Sequence, residues 1–512
     1  MAEKPQKVMI RTVVLEDEIT LWWERHCTFP ANGVYVVSVN GRKHGETAKT
    51  HYTLAALPSE TEYCITVTTV DASGAVIGEV RSVTVKTLKK KKRLDVTKAP
   101  YFAVGDGVTL NTAALQKALD DCQPDETVYL PQGVYLTGAL NVHSNTEMYL
   151  EKDAVLQGTA NVEDYLPQIK SRFEGTERMC YRSLLNLGTL DSQGDYNCRN
   201  VVIRGAGTIT GGGKDLCWNT IENERARLKK YLADNAEYIQ TCENENTIPG
   251  RVRGRLVNIS NCQNVVLAGL TLQYGPAWNI HMIYSKDITT YQCKINSQGV
   301  WNGDGWDPDS SENCAVFDTE FCTHDDGIAI KSGKNPEGNI INRPTKNVYI
   351  FDCRGRNGIA VGSEMSGGVD GVRIWDCDFS VAHNGLVIKT TRKRGGYMRN
   401  IAVKDSVFNS LTVYSDLPYN NDGESAPVLP KIENIYLENV TLSGTRTYAA
   451  GRTEPMDYIE LYGLEEDGHK VENVTLKNIT LLENGEKTQL IKIRNVKNLT
   501  MENIDTIHNK ER

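Results

Sequence analysis

The chain has 512 residues, with 65 acidic and 57 basic side chains and a formal net charge of -8 at pH 7. It is too long for one ordinary core, so two domains or one elongated solenoid are expected. The acidic balance argues against nucleic acid as a partner.

The start of the chain has no apolar signal region, and no apolar run reaches membrane-spanning length. The thirteen cysteines stand singly, without the paired spacing of metal sites. We therefore expect a cytoplasmic protein with no membrane partner and with reduced, mostly buried thiols. A secreted chain trimmed of its signal peptide would look the same.

Residues 1–88 are predicted to form a small all-β domain, a β-sandwich. Short runs rich in Val, Thr and Tyr alternate there with turn residues such as Asn40-Gly41. The segment Leu57–Tyr63 resembles the tyrosine corner of fibronectin type III domains, in which a Tyr hydroxyl ties a crossover to the backbone. We expect a spacer or docking module, and sugar binding is the alternative.

Residues 89–94 are predicted to be a basic linker, since charge runs such as Lys89–Arg93 usually stay in water. A tether for an anionic polymer is the alternative. The domain expected at 95–512 begins with a short helix that Asn111 or Thr112 can cap. Such a helix would cover the open end of a solenoid.

A short unit recurs in the second domain: Asn, then Val, Ile or Leu, a variable residue and an apolar one. Copies begin at Asn200, Asn264, Asn347, Asn400, Asn434, Asn473 and Asn498. The last four copies are 25 to 39 residues apart, which suits one coil of a parallel β-helix. Leucine-rich repeats also place Asn at turns, but Leu is sparse here and β-branched residues are common. We therefore predict a parallel β-helix with Asn side chains bonded along its axis.

Residues 214–250 interrupt the repeat with a charged, helical stretch from Ile221 to Tyr238. Long insertions between coils tend to build walls around a binding groove. A wall at one end would favour attack on chain ends, and a surface hairpin without a binding role is the alternative.

Three acidic residues, Asp304, Asp325 and Asp326, lie among glycines and beside apolar runs too short for helices. If the chain advances one coil between Asp304 and Asp325, the carboxylates stack on one face. Carboxylates at such a short distance raise one another's pKa, so one carboxyl can stay protonated while another is ionised. Glycoside hydrolysis requires such an acid and base. Capping of backbone amides or calcium binding is the alternative for any single Asp.

Several segments together resemble one enzyme family. They are Asn302–Ser311, Asp325–Gly333, Arg253–Leu256, Pro276–His281, Val361–Gly368 and Ile388–Lys389. The chain thereby resembles the polygalacturonase family, glycoside hydrolase family 28, and its exo-acting branch. The resemblance implies a right-handed parallel β-helix that releases galacturonic acid from the ends of pectic oligosaccharides by inverting hydrolysis.

The resemblance also implies a role for each matching residue. Asp325 would be the proton donor, and Asp304 and Asp326 would hold and deprotonate the water. The implied substrate-binding residues are Asn302, Asn357, Glu364, Lys389, Arg255, His281 and, more loosely, Tyr419. No cofactor or metal is implied, and a homo-oligomer is left open.

Two positions depart from the family pattern. Its Gly-His-Gly becomes Arg356-Asn357-Gly358, and its Arg-Ile-Lys becomes Val387-Ile388-Lys389. The absent Arg binds a carboxylate at the cleavage site, so we expect a neutral leaving sugar such as rhamnose. In the competing view Arg356, Arg392 or Arg394 supplies the missing cation, and the enzyme is an ordinary exo-polygalacturonase.

Two functions of other classes stay open at this point. A β-helix polysaccharide lyase would need calcium and a basic proton abstractor. A catalytically inactive sugar-binding solenoid would not need all three aspartates.

Overall fold

The computed structural model describes residues 9–25, 29, 32–78, 80–416, 423–448, 451–483 and 491–507. The chain divides into two compact units: Met1–Arg93 with Asp125–Thr127, and Leu94–Pro124 with Val128–Arg512. The strand Lys92–Asp95 lies at this boundary, within the segment expected to be a linker. No described helix is long and apolar enough to cross a membrane.

The first unit contains two antiparallel sheets. The strands of the first sheet are Arg11–Val14, Ile19–Trp22 and His51–Leu54, and those of the second are Arg42–Thr47, Val34–Val39, Glu62–Val70 and Arg81–Lys86. Alternate residues of Glu62–Val70 point inward, so Tyr63, Ile65 and Val67 are buried beside Trp23 and Tyr35. This confirms the predicted β-sandwich.

The second unit is a right-handed parallel β-helix, as predicted. One of its faces is an eleven-stranded sheet in which every strand is parallel to its neighbours. Its strands, in chain order, are Leu140–Val142, Leu185–Leu187, Val257–Ser260, Ile280–Ile283, Trp306–Asp309, Ile328–Ile330, Ile359–Gly362, Leu386–Lys389, Leu411–Tyr414, Ile459–Tyr462 and Ile491–Arg494. Inward side chains such as Ile280, Trp306 and Ile328 join one apolar core that fills the coils.

The remaining faces of the coils belong to a second sheet. Its strands are Lys92–Asp95, Asp106–Leu110, Glu126–Leu130, Gly133–Thr137, Glu147–Leu150, Ala154–Gly158, Cys198–Gly205, Thr208–Thr210, Cys262–Ala268, Thr271–Gln273, Lys286–Tyr291, Lys294–Asn296, Glu312–Cys322, Thr345–Gly355, Val369–Trp375, Asp378–Phe379, Tyr397–Phe408, Lys431–Leu442, Val471–Leu482 and Val496–Ile507. The twelve cysteines that the structure describes are free, and eight of them are buried, which agrees with the expected thiols.

Asparagine ladders hold the turns of the coils in register. The amide of Asn434 donates to Asn400 at 3.2 Å, Asn473 donates to Asn434 at 3.0 Å, and Asn498 donates to Asn473 at 2.9 Å. These residues have φ between 57° and 60°, a left-handed conformation that Asn tolerates better than most residues do. The repeat of Asn therefore has the axial bonding that the sequence predicted.

Helices and hairpins extend from the coils. The helices are Thr112–Asp121, Gly213–Arg227, Lys229–Asp234, Ala236–Gln240, Thr247–Gly250 and Glu337–Ile341, the 3-10 turn is Val162–Tyr165, and the antiparallel hairpins are Ile169–Phe173 with Thr176–Cys180 and Thr445–Thr447 with Thr453–Pro455. The first helix buries Leu115, Ala118 and Leu119. Its N-cap residue Asn111 makes no side-chain capping bond and instead accepts from the amide of Val104 at 2.7 Å.

Candidate active site

The three predicted catalytic aspartates lie on adjacent coils, where the chain enters the eleven-stranded sheet. Asp304 comes two residues before the strand Trp306–Asp309, and Asp326 comes two residues before Ile328–Ile330. The first residues of these two strands pair in register. Because neighbouring strands lie about 4.8 Å apart, Asp304 and Asp326 stack as the sequence predicts, with Asp325 beside them.

A glycine follows the aspartate on each of these coils for a steric reason. A Cβ atom added to Gly305 would lie 2.4 Å from the carbonyl oxygen of Gly327, and one added to Gly327 would lie 2.4 Å from that of Asn357. On the next coil a Cβ at Gly358 would lie 1.9 Å from the oxygen of Gly385. Only glycine permits coils to approach this closely, so the Asp-Gly pattern sets the spacing of the carboxylates.

The surroundings of Asp325 favour its protonated form. Loss of surrounding water raises the pKa of Asp325, and the carboxylate of Asp326 raises it further, while Lys389 opposes both effects. Its Oδ1 atom accepts from the amide of Asp326 at 2.9 Å. Asp325 keeps an exposed side chain despite this crowding. It is therefore placed to deliver a proton to a ligand.

Lys331 lies at the centre of the buried carboxylates, and the sequence analysis assigned it no role. Its Nζ atom is 3.2 Å from Oδ2 of Asp304 and 3.6 Å from Oε2 of Glu364. It also lies 4.3 Å from the centre of the Trp278 ring. Burial and the neighbouring carboxylates raise the pKa of Asp304, and Lys331 acts against that rise. The sequence feature that could have identified Lys331 is its position in the Asp325–Gly333 motif, one residue after the strand Ile328–Ile330.

Asp307 is a second residue that the sequence analysis left without a role. It is fully buried, and neither carboxyl oxygen has a hydrogen-bond partner within the described part of the chain. Burial raises its pKa well above the ordinary value, and Lys331 opposes the rise. A protonated, neutral Asp307 is consistent with these surroundings.

Four of the predicted substrate-binding residues surround the aspartates. Nζ of Lys389 lies 3.0 Å from Oδ2 of Asp326. Asn357 is partly exposed and donates to the carbonyl of Thr323 at 2.9 Å, and Glu364 lies beside the central lysine as described above. Asn302 accepts from a buried arginine, Arg253, at 2.6 Å.

Two other expected binding residues do not fit the structure. Arg255 is buried between two aromatic rings, and its guanidinium donates to the carbonyl oxygens of Arg253 at 2.6 Å and Arg172 at 2.7 Å. His281 is fully buried, with Nε2 3.2 Å from Oδ2 of Asp309, and burial lowers its pKa to about 3. Neither side chain is exposed to a bound sugar, so both have a structural role beneath the site. Tyr419 lies outside the described residues.

The hairpin formed by Ile169–Phe173 and Thr176–Cys180 is fixed to the eleven-stranded sheet by a buried ion pair. Nη1 of Arg172 lies 2.7 Å from Oδ1 of Asp309, and its other nitrogen bonds the hydroxyl of Tyr284. Burial alone would raise the pKa of Asp309, but Arg172 and His281 hold it at about 2. This hairpin forms a wall of the site that the sequence analysis did not predict.

The insertion predicted to be helical contributes the helix Gly213–Arg227 and three shorter helices. Trp218 of this helix stacks on Trp301, with ring centres 6.1 Å apart and planes at 10°. Trp301 precedes Asn302 and its aspartate, so the insertion packs beside the site.

The arginines proposed to replace the missing family cation occupy different settings. Arg394 is buried, and it donates to the carbonyl of Ser363 at 3.0 Å and to Oδ1 of Asn335 at 2.7 Å. Arg392 is exposed and paired with Glu466. Arg356 is exposed, in the row of residues that contains Asp325. Arg394 and Arg392 therefore already have protein partners in place of a substrate carboxylate.

Comparison with known proteins agrees with this geometry. Residues 188–502 match the profile described as glycosyl hydrolases family 28. The chain belongs to this family. An exo-poly-alpha-D-galacturonosidase of Dickeya chrysanthemi is 28% identical over 412 residues, covering 75% of this chain and 68% of that protein. A probable polygalacturonase of Vitis vinifera is 31% identical over 330 residues, covering 61% of this chain and 60% of that protein.

Two solved structures of exopolygalacturonases share the fold. The family 28 exopolygalacturonase of Yersinia enterocolitica superposes with a TM-score of 0.77 and 22% identity over 99% of each chain. The exopolygalacturonase of Thermotoga maritima has a TM-score of 0.66 and 26% identity, covering 81% of this chain and 91% of the other. As a family 28 member the chain is a glycosidase.

Proposed function

We propose that this family 28 glycosidase is exo-acting and releases galacturonic acid from the ends of pectic oligosaccharides. The observation that carries the proposal is the stack of three carboxyls on adjacent coils, two of them beside lysines. The names of the Dickeya, Yersinia and Thermotoga relatives support exo-action on galacturonides.

The proposed mechanism divides the two tasks of inverting hydrolysis among the aspartates. Asp325, whose pKa is raised, protonates the glycosidic oxygen as the bond to the anomeric carbon breaks. Asp304 and Asp326, which lie beside Lys331 and Lys389, orient a water molecule and remove its proton. The water adds to the opposite face of the sugar, so the anomeric configuration inverts.

The exo-action is supported by two walls on one side of the aspartates. The hairpin packs on Asn258 through Ser171, at 3.2 Å, and on Trp278 through Phe173. The helical insertion packs on Trp301. These contacts involve segments that precede Asp304, and the hairpin also reaches Asp309 through Arg172. The two walls stand beside the preceding coils, and the terminal sugar would lie on that side.

The test is the product pattern from a polymeric substrate. Polygalacturonate incubated with the enzyme is expected to yield galacturonic acid from the first minutes, with no intermediate oligomers. Proton NMR of the first product is expected to show the inverted anomer. Products of mixed length would contradict exo-action, retention of configuration would contradict the assigned roles, and unsaturated products absorbing in the ultraviolet would indicate a lyase.

A further inference from the structure

One face of the hairpin is turned toward the catalytic aspartates. Ser171 pairs with Arg178 across its two strands, so Ser171, Phe173 and Arg178 project from the same face. The ring of Phe173 stacks on Trp278 with centres 5.1 Å apart, and Trp278 lies beneath the ammonium of Lys331. Since Lys331 pairs with the base Asp304, Arg178 projects from the face that packs toward the reacting groups.

The guanidinium of Arg178 has no hydrogen bond and no ion pair with any residue that the structure describes, and its Nε atom is buried. The nearest acidic groups are otherwise engaged. Glu174 pairs with Arg251 at 2.7 Å, and Glu337 accepts from the amide of Glu177 at 2.7 Å. Burial lowers the pKa of Arg178, and the like charge of Arg251 lowers it further. A half-buried cation of this kind lacks the anion that normally compensates it.

Three other cations around the site differ from Arg178 because each has a carboxylate beside it. Lys331 lies 3.2 Å from Asp304, and Lys389 lies 3.0 Å from Asp326. The hairpin's own Arg172 is paired at 2.7 Å. Unlike Lys331, Lys389 and Arg172, Arg178 therefore offers a uronate carboxylate a cation that no described carboxylate already pairs.

We propose that Arg178 binds the carboxylate of the terminal galacturonate, the sugar that the enzyme releases. A guanidinium can donate two parallel hydrogen bonds to the two oxygens of a carboxylate. The face of the hairpin that carries Arg178 packs on Asn258 and Trp278, which precede Asp304. The chain end would stop on that side, so the released sugar is the one that Arg178 meets. This inference rests on the proposed function.

The test compares two substrates that differ in one charge. They are digalacturonate and its counterpart with a methyl ester on the terminal, non-reducing sugar. Wild-type enzyme is expected to prefer the free acid, and Arg178→Met is expected to reduce that preference about tenfold or more in kcat/KM. The change should appear mainly in KM for the acid, with hydrolysis of the ester unaltered. Arg178→Lys, which keeps the charge without the fork, should fall between the two.

The matched control is Met179→Ala, since Met179 follows Arg178 on the same strand and is 50% exposed. It should leave the substrate preference unchanged. Because Arg178 has no hydrogen-bond or ion-pair partner among the described residues, Arg178→Met should not lower the melting temperature, whereas replacing a structural arginine would lower it. Calorimetric titration with galacturonate, which needs no turnover, should show about tenfold weaker binding to Arg178→Met than to wild type.

Different results would overturn different conclusions. If both Arg178 variants keep the wild-type preference and the wild-type affinity for galacturonate, the inference is wrong and the proposed function stands. If wild-type enzyme cleaves neither substrate, the proposed function is wrong. In that case the titration alone decides the inference, and equal galacturonate affinity in wild type and Arg178→Met would overturn it.

Discussion

Replacing Lys331 by Met tests whether one buried ammonium holds the carboxylates of the site together. Its Nζ atom lies 3.2 Å from Asp304 and 3.6 Å from Glu364, and all three side chains are at most 7% exposed. With an effective dielectric constant of about 20, each attraction is about 5 kcal/mol. Desolvation offsets much of this, and removing one partner of a buried ion pair costs about 3 to 5 kcal/mol of stability.

The loss of stability in Lys331→Met is expected to depend on pH, with a definite sign. Asp304 and Asp307 already have raised pKa values in the folded state, and removal of the cation raises them further. A carboxyl with a raised pKa binds its proton more tightly when folded, so folding is favoured at low pH and penalised as the pH rises. The variant should therefore lose more stability at pH 8 than at pH 5.

Urea unfolding at the two pH values measures this difference directly. Lys286→Met is the matched control, because Lys286 lies 3.5 Å from Glu312 with side chains 31% and 40% exposed. Such a surface pair contributes about 1 kcal/mol or less. Equal losses at both pH values, or a loss no larger than in the control, would refute the assignment of Lys331 as the organising cation. The acidic limb of kcat/KM should also move to higher pH, since the base becomes harder to ionise.

Three further predictions concern the chemistry, the substrate and the coils. Asp325→Asn should lower kcat about 10²-fold or more with the melting temperature retained, and near-full activity would contradict its role as the acid. A galacturonate-capped rhamnogalacturonan oligosaccharide should be cleaved faster than digalacturonate, because Val387 offers no guanidinium fork to a leaving-side carboxylate; the reverse order would contradict a neutral leaving sugar. Asn434→Ala should destabilise the fold by about 1 to 3 kcal/mol through two lost ladder bonds and a left-handed backbone, and Asn434→Gly should recover the backbone part. Urea unfolding of both variants measures that difference.

The sequence predicted those features that repeat or that depend on neighbouring residues. The Asn ladder and the stacking of Asp304 on Asp326 both follow from one coil being laid on the next. Burial was harder to predict, because a motif match does not reveal whether a side chain reaches the surface. Arg255 and His281 match the family pattern but are buried beneath the site.

The hairpin wall of the site could not be predicted from the repeat. Arg172 and Asp309 are 137 residues apart in sequence, and their ion pair fixes a hairpin that carries no copy of the Asn unit. Arg178 became a candidate only when its lack of a partner could be seen. Lys331 belongs to the Asp325–Gly333 motif. Its contacts could not be predicted, because Asp304, Glu364 and Trp278 come from three other segments.

The Asn ladders have a consequence for how the specificity of such a protein can change during evolution. They and the apolar core fix the axial rise of each coil through contacts that do not involve the loops between strands. A loop or hairpin can therefore lengthen, shorten or exchange its residues without altering the separation of Asp304 and Asp326. Mutation can explore new sugars at the walls while the catalytic distances stay constant, so substrate range and bond-breaking chemistry are free to diverge at different rates.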